Sequence, residues 1–213
     1  MTIQQTLSMK LGIDNELAQL ILQHGRVSVI KKGSFLYYQD DTADYIALPI
    51  DGVLGFHSTS EDGAGVYYNL ITPGTIINDT QLMLGGEIAT EIRAASDCRV
   101  LLMSFKSARA LLQQSVSFSQ VISHSLAKKQ RLFNELFLLR MERSAPMKIL
   151  RVIKLISGIV DNGYVPLNIQ SLASLLGISR NTVGKELKSF IQQGVIAKSS
   201  EGYFLPDTIQ RVA

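Results

Sequence analysis

Arg180, Asn181 and Lys185 are the side chains in this sequence best placed to do recognition chemistry. They sit in GISRNTVGKELKSF, residues 177–190, where Val183, Leu187 and Phe190 recur at i, i+4 and i+7 as one apolar stripe. Asn181, Lys185 and Lys188 repeat that spacing on another stripe, with Arg180 beside them. A helix of this kind fits the major groove of B-DNA with its N-terminal residues at base edges. There Arg180 matches the paired acceptors of guanine, Asn181 the donor and acceptor of adenine, and Lys185 guanine or a phosphate. Gln170, Ser179 and Thr182 carry amide and hydroxyl groups suited to phosphate oxygens, and Lys188 and Lys198 neutralise backbone charge.

The elements that must hold those residues can be read around them. QSLASLLGISRNTVGKELKSFIQQG predicts a helix, a turn and a second helix. Ala173 is small enough for the helices to approach, Gly177 supplies a left-handed turn, and Ser179 caps the second helix. VIAKSSEGYFLPD predicts a two-stranded wing turning at Ser200-Glu201-Gly202, and YVPLNI a short strand before the motif. Upstream, MKILRVIKLISGIV predicts an apolar helix. Pro146 separates it from FSQVISHSLAKKQRLFNELFLLRM, a Pro- and Gly-free run expected to form one long helix. On that helix Ile122, Leu126, Phe133 and Leu136 form a seam, interrupted by Lys129, that points to dimerisation, with packing along its own roll as the alternative for so irregular a heptad.

The first half reads differently. Residues 11–24 predict one short helix with Asp14 as an N-cap. Turn signals then separate RVSVI, SFLYY, YIALPI, VLGFHS, VYYNLI, EIRAA and RVLLMSF, one of the turns being Glu61-Asp62-Gly63. Short strands turning about every 8 to 12 residues indicate an antiparallel roll. Charge divides along the same line. The first 139 residues hold 11 Lys/Arg against 13 Asp/Glu and the remainder 10 against 5, within a net +3. A basic last third is what a polyanion-binding domain requires.

The chain of 213 residues suits one or two domains, and its 46% hydrophobic content suits a packed core. There is no basic start followed by an apolar run, and no apolar stretch of about 20 residues, so a cytoplasmic protein without a membrane partner is expected. The single Cys98 excludes an internal disulfide and a multi-thiolate cluster, and it reads as a buried core thiol. His24, His57 and His124 are scattered without metal-ligand spacing, so no metal is predicted. Tyr37, Tyr38, Tyr45, Tyr67 and Tyr68 read as roll packing or as the lining of a pocket.

ISRNTVGKEL, with Gln170, Leu172, Ala173 and Gly177 before it, resembles the helix-turn-helix of the cyclic-AMP receptor protein and fumarate-nitrate regulator (Crp/Fnr) family of bacterial transcription factors. A weaker resemblance runs over nearly the whole chain, including Pro73-Gly74 in the roll. It implies an α+β fold: a cyclic-nucleotide-binding-like β-roll over 1–114, a long dimerisation helix over 115–142 and a winged helix-turn-helix over 143–213. It implies a homodimer on palindromic double-stranded DNA, with RNA polymerase as a further candidate partner. In the family the Arg180 position contacts guanine and the Lys185 position holds a basic reader. The Asn181 position is usually Glu, which accepts from cytosine, so adenine is the expected departure.

The sensor half departs further. Nucleotide binders of the family carry Gly-Glu after the PG-containing strand, for the ribose hydroxyl, and then an Arg-Ser or Arg-Thr for the cyclic phosphate. Here Asn78-Asp79 and Ile88-Ala89-Thr90 occupy those places, with Arg93 in the next strand off the site. A phosphate buried without a cation is costly, so cyclic AMP is not the expected ligand. No cofactor is predicted and any other effector is unknown. Two other classes compete. A cupin-like enzyme would need clustered histidines, and His57 has none near it. An interaction module with a vestigial DNA-binding half would show no salt-dependent DNA affinity.

Overall fold

The computed structural model describes residues 1–59 and 65–206. The expected turn at Glu61-Asp62-Gly63 and the last residue of VIAKSSEGYFLPD lie outside them. Two helices open the chain, α1 (Ile3–Leu11) and α2 (Asn15–Gln23). The helix expected over 11–24 is α2, with Asp14 capping it through the Leu17 amide at 2.7 Å; it starts later than expected because Gly12 at φ 69° ends α1, a helix not expected from the sequence.

Seven strands follow, each on a run the turn signals had isolated: β1 (Gly25–Ile30), β2 (Phe35–Tyr37), β3 (Tyr45–Asp51), β4 (Leu54–Thr59), β5 (Gly65–Ile71), then β6 (Glu91–Ala94) and β7 (Cys98–Ser104) after the short helix α3 (Asp79–Leu84). They form a three-stranded sheet in the order β1-β7-β3 and a four-stranded sheet in the order β2-β6-β4-β5. β7 pairs antiparallel with both neighbours, from Gly25↔Met103 to Ile30↔Cys98 on one side and from Tyr45↔Ser104 on the other. The register of β3 shifts between Pro49 and Asp51, where proline has no N–H to give the ladder. Ile46, Leu48, Ile50, Val100, Leu101 and Met103 fill the core.

Cys98 is buried in that core, and burial raises its thiol to about 11. Iodoacetamide at pH 8 should therefore leave Cys98 unmodified in the folded protein and alkylate it after unfolding, as mass spectrometry would read. The unfolded thiol ionises near its ordinary 9.0 and the folded one only near 11. This group's contribution to stability is therefore whole below that window and falls as pH rises through it.

Helices α4 (Phe105–Gln114) and α5 (Val116–Met141) come next, and then α6 (Ala145–Ser157), with Ser144 as N-cap and Pro146 in its first turn, where a missing N–H is harmless. α7 (Ile169–Leu176), α8 (Arg180–Gln192) and the hairpin β8 (Ala197–Lys198) and β9 (Tyr203–Phe204) complete the chain. YVPLNI is not a strand. It contributes one isolated bridge, Val165↔Tyr203, which Pro166 cannot extend.

Two compact units result, Met1–Phe56 with Ile71–Arg131, and His57–Leu70 with Leu132–Ala213. The seam expected along α5 is divided. Ile122 and Leu136 are each 2% exposed and so are closed to a partner, whereas Leu126 (37%) and Phe133 (44%) are open. Phe137, Leu138 and Met141 are exposed as well. The sequence pattern could not tell which side of an apolar helix its own chain would cover.

Candidate nucleic-acid interface and the sensor roll

Asn168 caps α7, its side chain accepting from the Ser171 amide at 2.8 Å. Gly177 ends it at φ 65°, a conformation that costs a residue with a Cβ but not glycine. The Ile178 amide reaches back to the Ala173 carbonyl at 3.0 Å, closing the turn. Ser179 Oγ then accepts from the Thr182 amide at 3.1 Å and meets the Thr182 hydroxyl at 2.8 Å, which starts α8. Val183 and Leu187 are buried and Phe190 is half-buried, so one face of α8 is anchored. Arg180, Asn181, Lys185 and Lys188 are exposed on the rest of the helix.

Of the other expected contacts, Lys198 is exposed on β8 with its Nζ 5.6 Å from the centre of the Tyr203 ring, a cation–π contact that restrains it. Gln170 is half-buried, and its Oε1 is enclosed without a hydrogen-bond partner. The wing is tied by Ser199 N–H to the Gly202 carbonyl (2.9 Å) and by reciprocal bonds between Val165 and Tyr203. A Cβ at Gly202 would stand 2.1 Å from the Val165 carbonyl oxygen, so only glycine fits there.

Sequence reasoning missed the residues that brace this motif. Arg140, in the last turn of α5, donates through Nε to the Leu175 carbonyl at 2.8 Å and through Nη2 to the Ser174 carbonyl at 3.3 Å. A cation on the last carbonyls of α7 complements the negative end of its dipole. The buried Lys148 in turn donates to the Arg140 carbonyl at 2.8 Å. Neither role can be seen in local spacing, because Arg140 and its acceptors are 34 and 35 positions apart.

In the roll, Asn78 adopts φ 62°, the left-handed conformation that a glycine would take freely, and its amide donates to the Tyr45 carbonyl at 3.1 Å. Asp79 follows, 0% exposed. Its Oδ2 accepts from Ser125 Oγ at 2.7 Å, and its Oδ1 from Lys129 Nζ and from the Thr80 amide. Lys129, read in the sequence as an interruption of the dimer seam, is thus a half-buried partner of the roll. Burial pulls its ammonium below the usual lysine range, and the Asp79 charge opposes that pull. Ile88 is buried, and Arg93 donates to the Gly33 carbonyl at 2.9 Å with its guanidinium 5.1 Å from the Phe35 ring centre. Tyr37 is buried against Tyr45, donating its hydroxyl to the Tyr45 carbonyl at 2.9 Å, whereas Tyr38 is exposed. Buried His57 meets Tyr67 edge to face. Among the described residues no group of three His, Cys, Asp or Glu could hold a metal ion, and no helix is long and apolar enough to cross a membrane.

Residues 22–115 match the cyclic nucleotide-binding domain family, and residues 136–208 match the Crp-like helix-turn-helix domain family. The chain belongs to the Crp/Fnr family of transcription factors. It is a DNA-binding transcriptional regulator. The cyclic AMP receptor protein of Thermus thermophilus is 25% identical over 189 residues, 87% of this chain and 86% of its own. FixK2 of Bradyrhizobium japonicum shares the fold at a TM-score of 0.72 and 18% identity, over 88% of this chain and 95% of its own. The c-di-GMP-responsive regulator CLP of Xanthomonas campestris does so at 0.71 and 17%, over 90% and 99%. Among these relatives of the Crp/Fnr regulator, CLP is a global regulator of gene expression.

Proposed function

We propose that this regulator acts in the cytoplasm as a homodimer on a palindromic operator, inserting α8 into successive major grooves, and that it does so without cyclic AMP. RNA polymerase is the machinery whose activity it would alter. The observation that carries the reading is the two-sided construction of α8: Val183 and Leu187 are locked inward, which leaves Arg180, Asn181 and Lys185 exposed from a capped N-terminus. Arg180 reads guanine, Asn181 adenine, and Lys185 guanine or phosphate. Gln170, Ser179, Thr182, Lys188 and Lys198 set the register on the phosphates.

Dimerisation is supported by the apolar row left open on α5, Leu126, Phe133 and Phe137 at heptad-like spacing, with Met141 one turn on. Phe133→Asp would place a charge in that row. It should weaken the dimer by about 3–5 kcal/mol, the cost of an uncompensated buried charge, and give monomers in sedimentation.

Cyclic AMP fits this roll poorly. Asp79 is enclosed by Ser125 and Lys129, no arginine stands at residues 88–90, and Arg93 is engaged with Gly33 and Phe35. Calorimetry with cyclic AMP should show no micromolar binding. The deciding experiment is genome-wide footprinting of purified protein without added effector, repeated across salt. Palindromic sites whose occupancy falls steeply with salt are expected. Footprints that appear only when cyclic AMP is added would overturn the cyclic AMP-independent reading, and no footprint in any condition would overturn the operator itself.

A further inference from the structure

The segment 74–79 is held by one face of α5. Ser125, Lys128 and Lys129 stand at i, i+3 and i+4, the spacing that puts side chains on one side of a helix. Lys128 Nζ donates to the Gly74 carbonyl at 3.2 Å and Lys129 Nζ to the Ile76 carbonyl at 2.8 Å, while the Ile76 amide donates to Ser125 Oγ at 2.8 Å. Asp79 closes the set with its bonds to Ser125 and Lys129. By its resemblance to the family's nucleotide binders, Asp79 stands at the place of the Glu expected to hold the ribose hydroxyl.

We propose that the Asp79–Ser125–Lys129 cluster is a built-in substitute for an effector, with Lys129 as its positioning residue: an intramolecular ion pair that docks α5 on segment 74–79 at all times. This rests on the cyclic AMP-independent reading above. A ligand stabilises one arrangement only through its differential affinity for it, and only while it is present. A tethered ammonium does the same at an effective concentration that dilution cannot change. Lys129 cannot leave Asp79 without stranding a carboxylate that has no exposure to water. Buried ion pairs often add little net stability over apolar packing, and their best-attested use is to fix register. Fixing α5 against the roll is such a use.

The test removes both charges together, so that folding does not depend on a stranded one. The Asp79→Asn/Lys129→Met double variant, Lys129→Arg and the wild type are compared on an operator obtained by selection, without effector. Affinity is normalised to the folded fraction from circular dichroism, and amide exchange is followed over 74–82 and 122–130. If the docked fraction falls to about a tenth, the double variant loses affinity about ten-fold and exchanges faster in both segments, and Lys129→Arg recovers most of the loss. A purely structural pair would lower the melting temperature and leave normalised affinity unchanged, which would overturn the proposal. Should the double variant not fold, Ser125→Ala takes away only a hydroxyl. It should weaken DNA binding with faster exchange at 74–82, and unchanged values in both would overturn the proposal equally. A wild type that needs cyclic AMP to bind DNA would instead sink the reading beneath it.

Discussion

Arg180→Ala is expected to lower operator affinity by about 1–3 kcal/mol, roughly five- to 150-fold, and to relax selectivity at one base pair in each half-site. Arg180 is exposed at the first position of α8, so its removal touches neither the Ser179 cap nor the Val183 and Leu187 anchors. The loss should therefore appear in binding and in selected sequences, with the unfolding transition unmoved. Lys188→Ala is the contrast. It should weaken every sequence evenly and reduce the slope of log affinity against log salt by about 1. Equal, sequence-independent losses for both would refute the division between base reading and charge neutralisation. Asn181→Glu extends the same experiment, since it should move the preferred pair at its step from A·T to C·G.

Lys129→Met, made alone, is expected to destabilise the fold by about 3–5 kcal/mol in urea denaturation, because it leaves the enclosed Asp79 carboxyl without its ion-pair partner. Adding Asp79→Asn should return most of that loss, as an asparagine in the same place no longer needs a counter-charge. The signature is thus non-additivity: the second substitution, harmful in the wild type, helps once Lys129 is gone. Two single losses that simply sum would mean that the carboxylate and the ammonium do not act as a pair.

The fold was legible wherever the local signals agreed. All seven roll strands fell on runs bounded by turn residues, and α5 on the longest stretch free of Pro and Gly. The helix-turn-helix could be read residue by residue because caps, anchors and turn lie within one short window. What escaped was short or distant. α3 has six residues, too few for a helical period to show. The partition of the α5 seam depends on what the chain itself covers, so Ile122 and Leu126 look alike in sequence and differ in exposure. Lys129 finds its partner 50 positions away, and local pattern offered only an unwelcome charge in an apolar row. The exposed polar residues of α8 lie on the surface that pattern describes well, and the roll's polar cluster lies where only folding brings groups together.

Asn78 bears on how this roll could change by mutation. Its left-handed backbone is one that glycine adopts freely, so Asn78→Gly would forfeit little beyond the hydrogen bond from the side-chain amide to the Tyr45 carbonyl. The neighbouring step is of another size. Asp79→Glu adds a methylene to an enclosed site beside Ser125 and Lys129, an overpacking worth about 1–3 kcal/mol. An arginine would also have to appear within 88–90. One step is nearly neutral and the others are uphill until all are present, so single substitutions offer no gradual path from this roll to a nucleotide site.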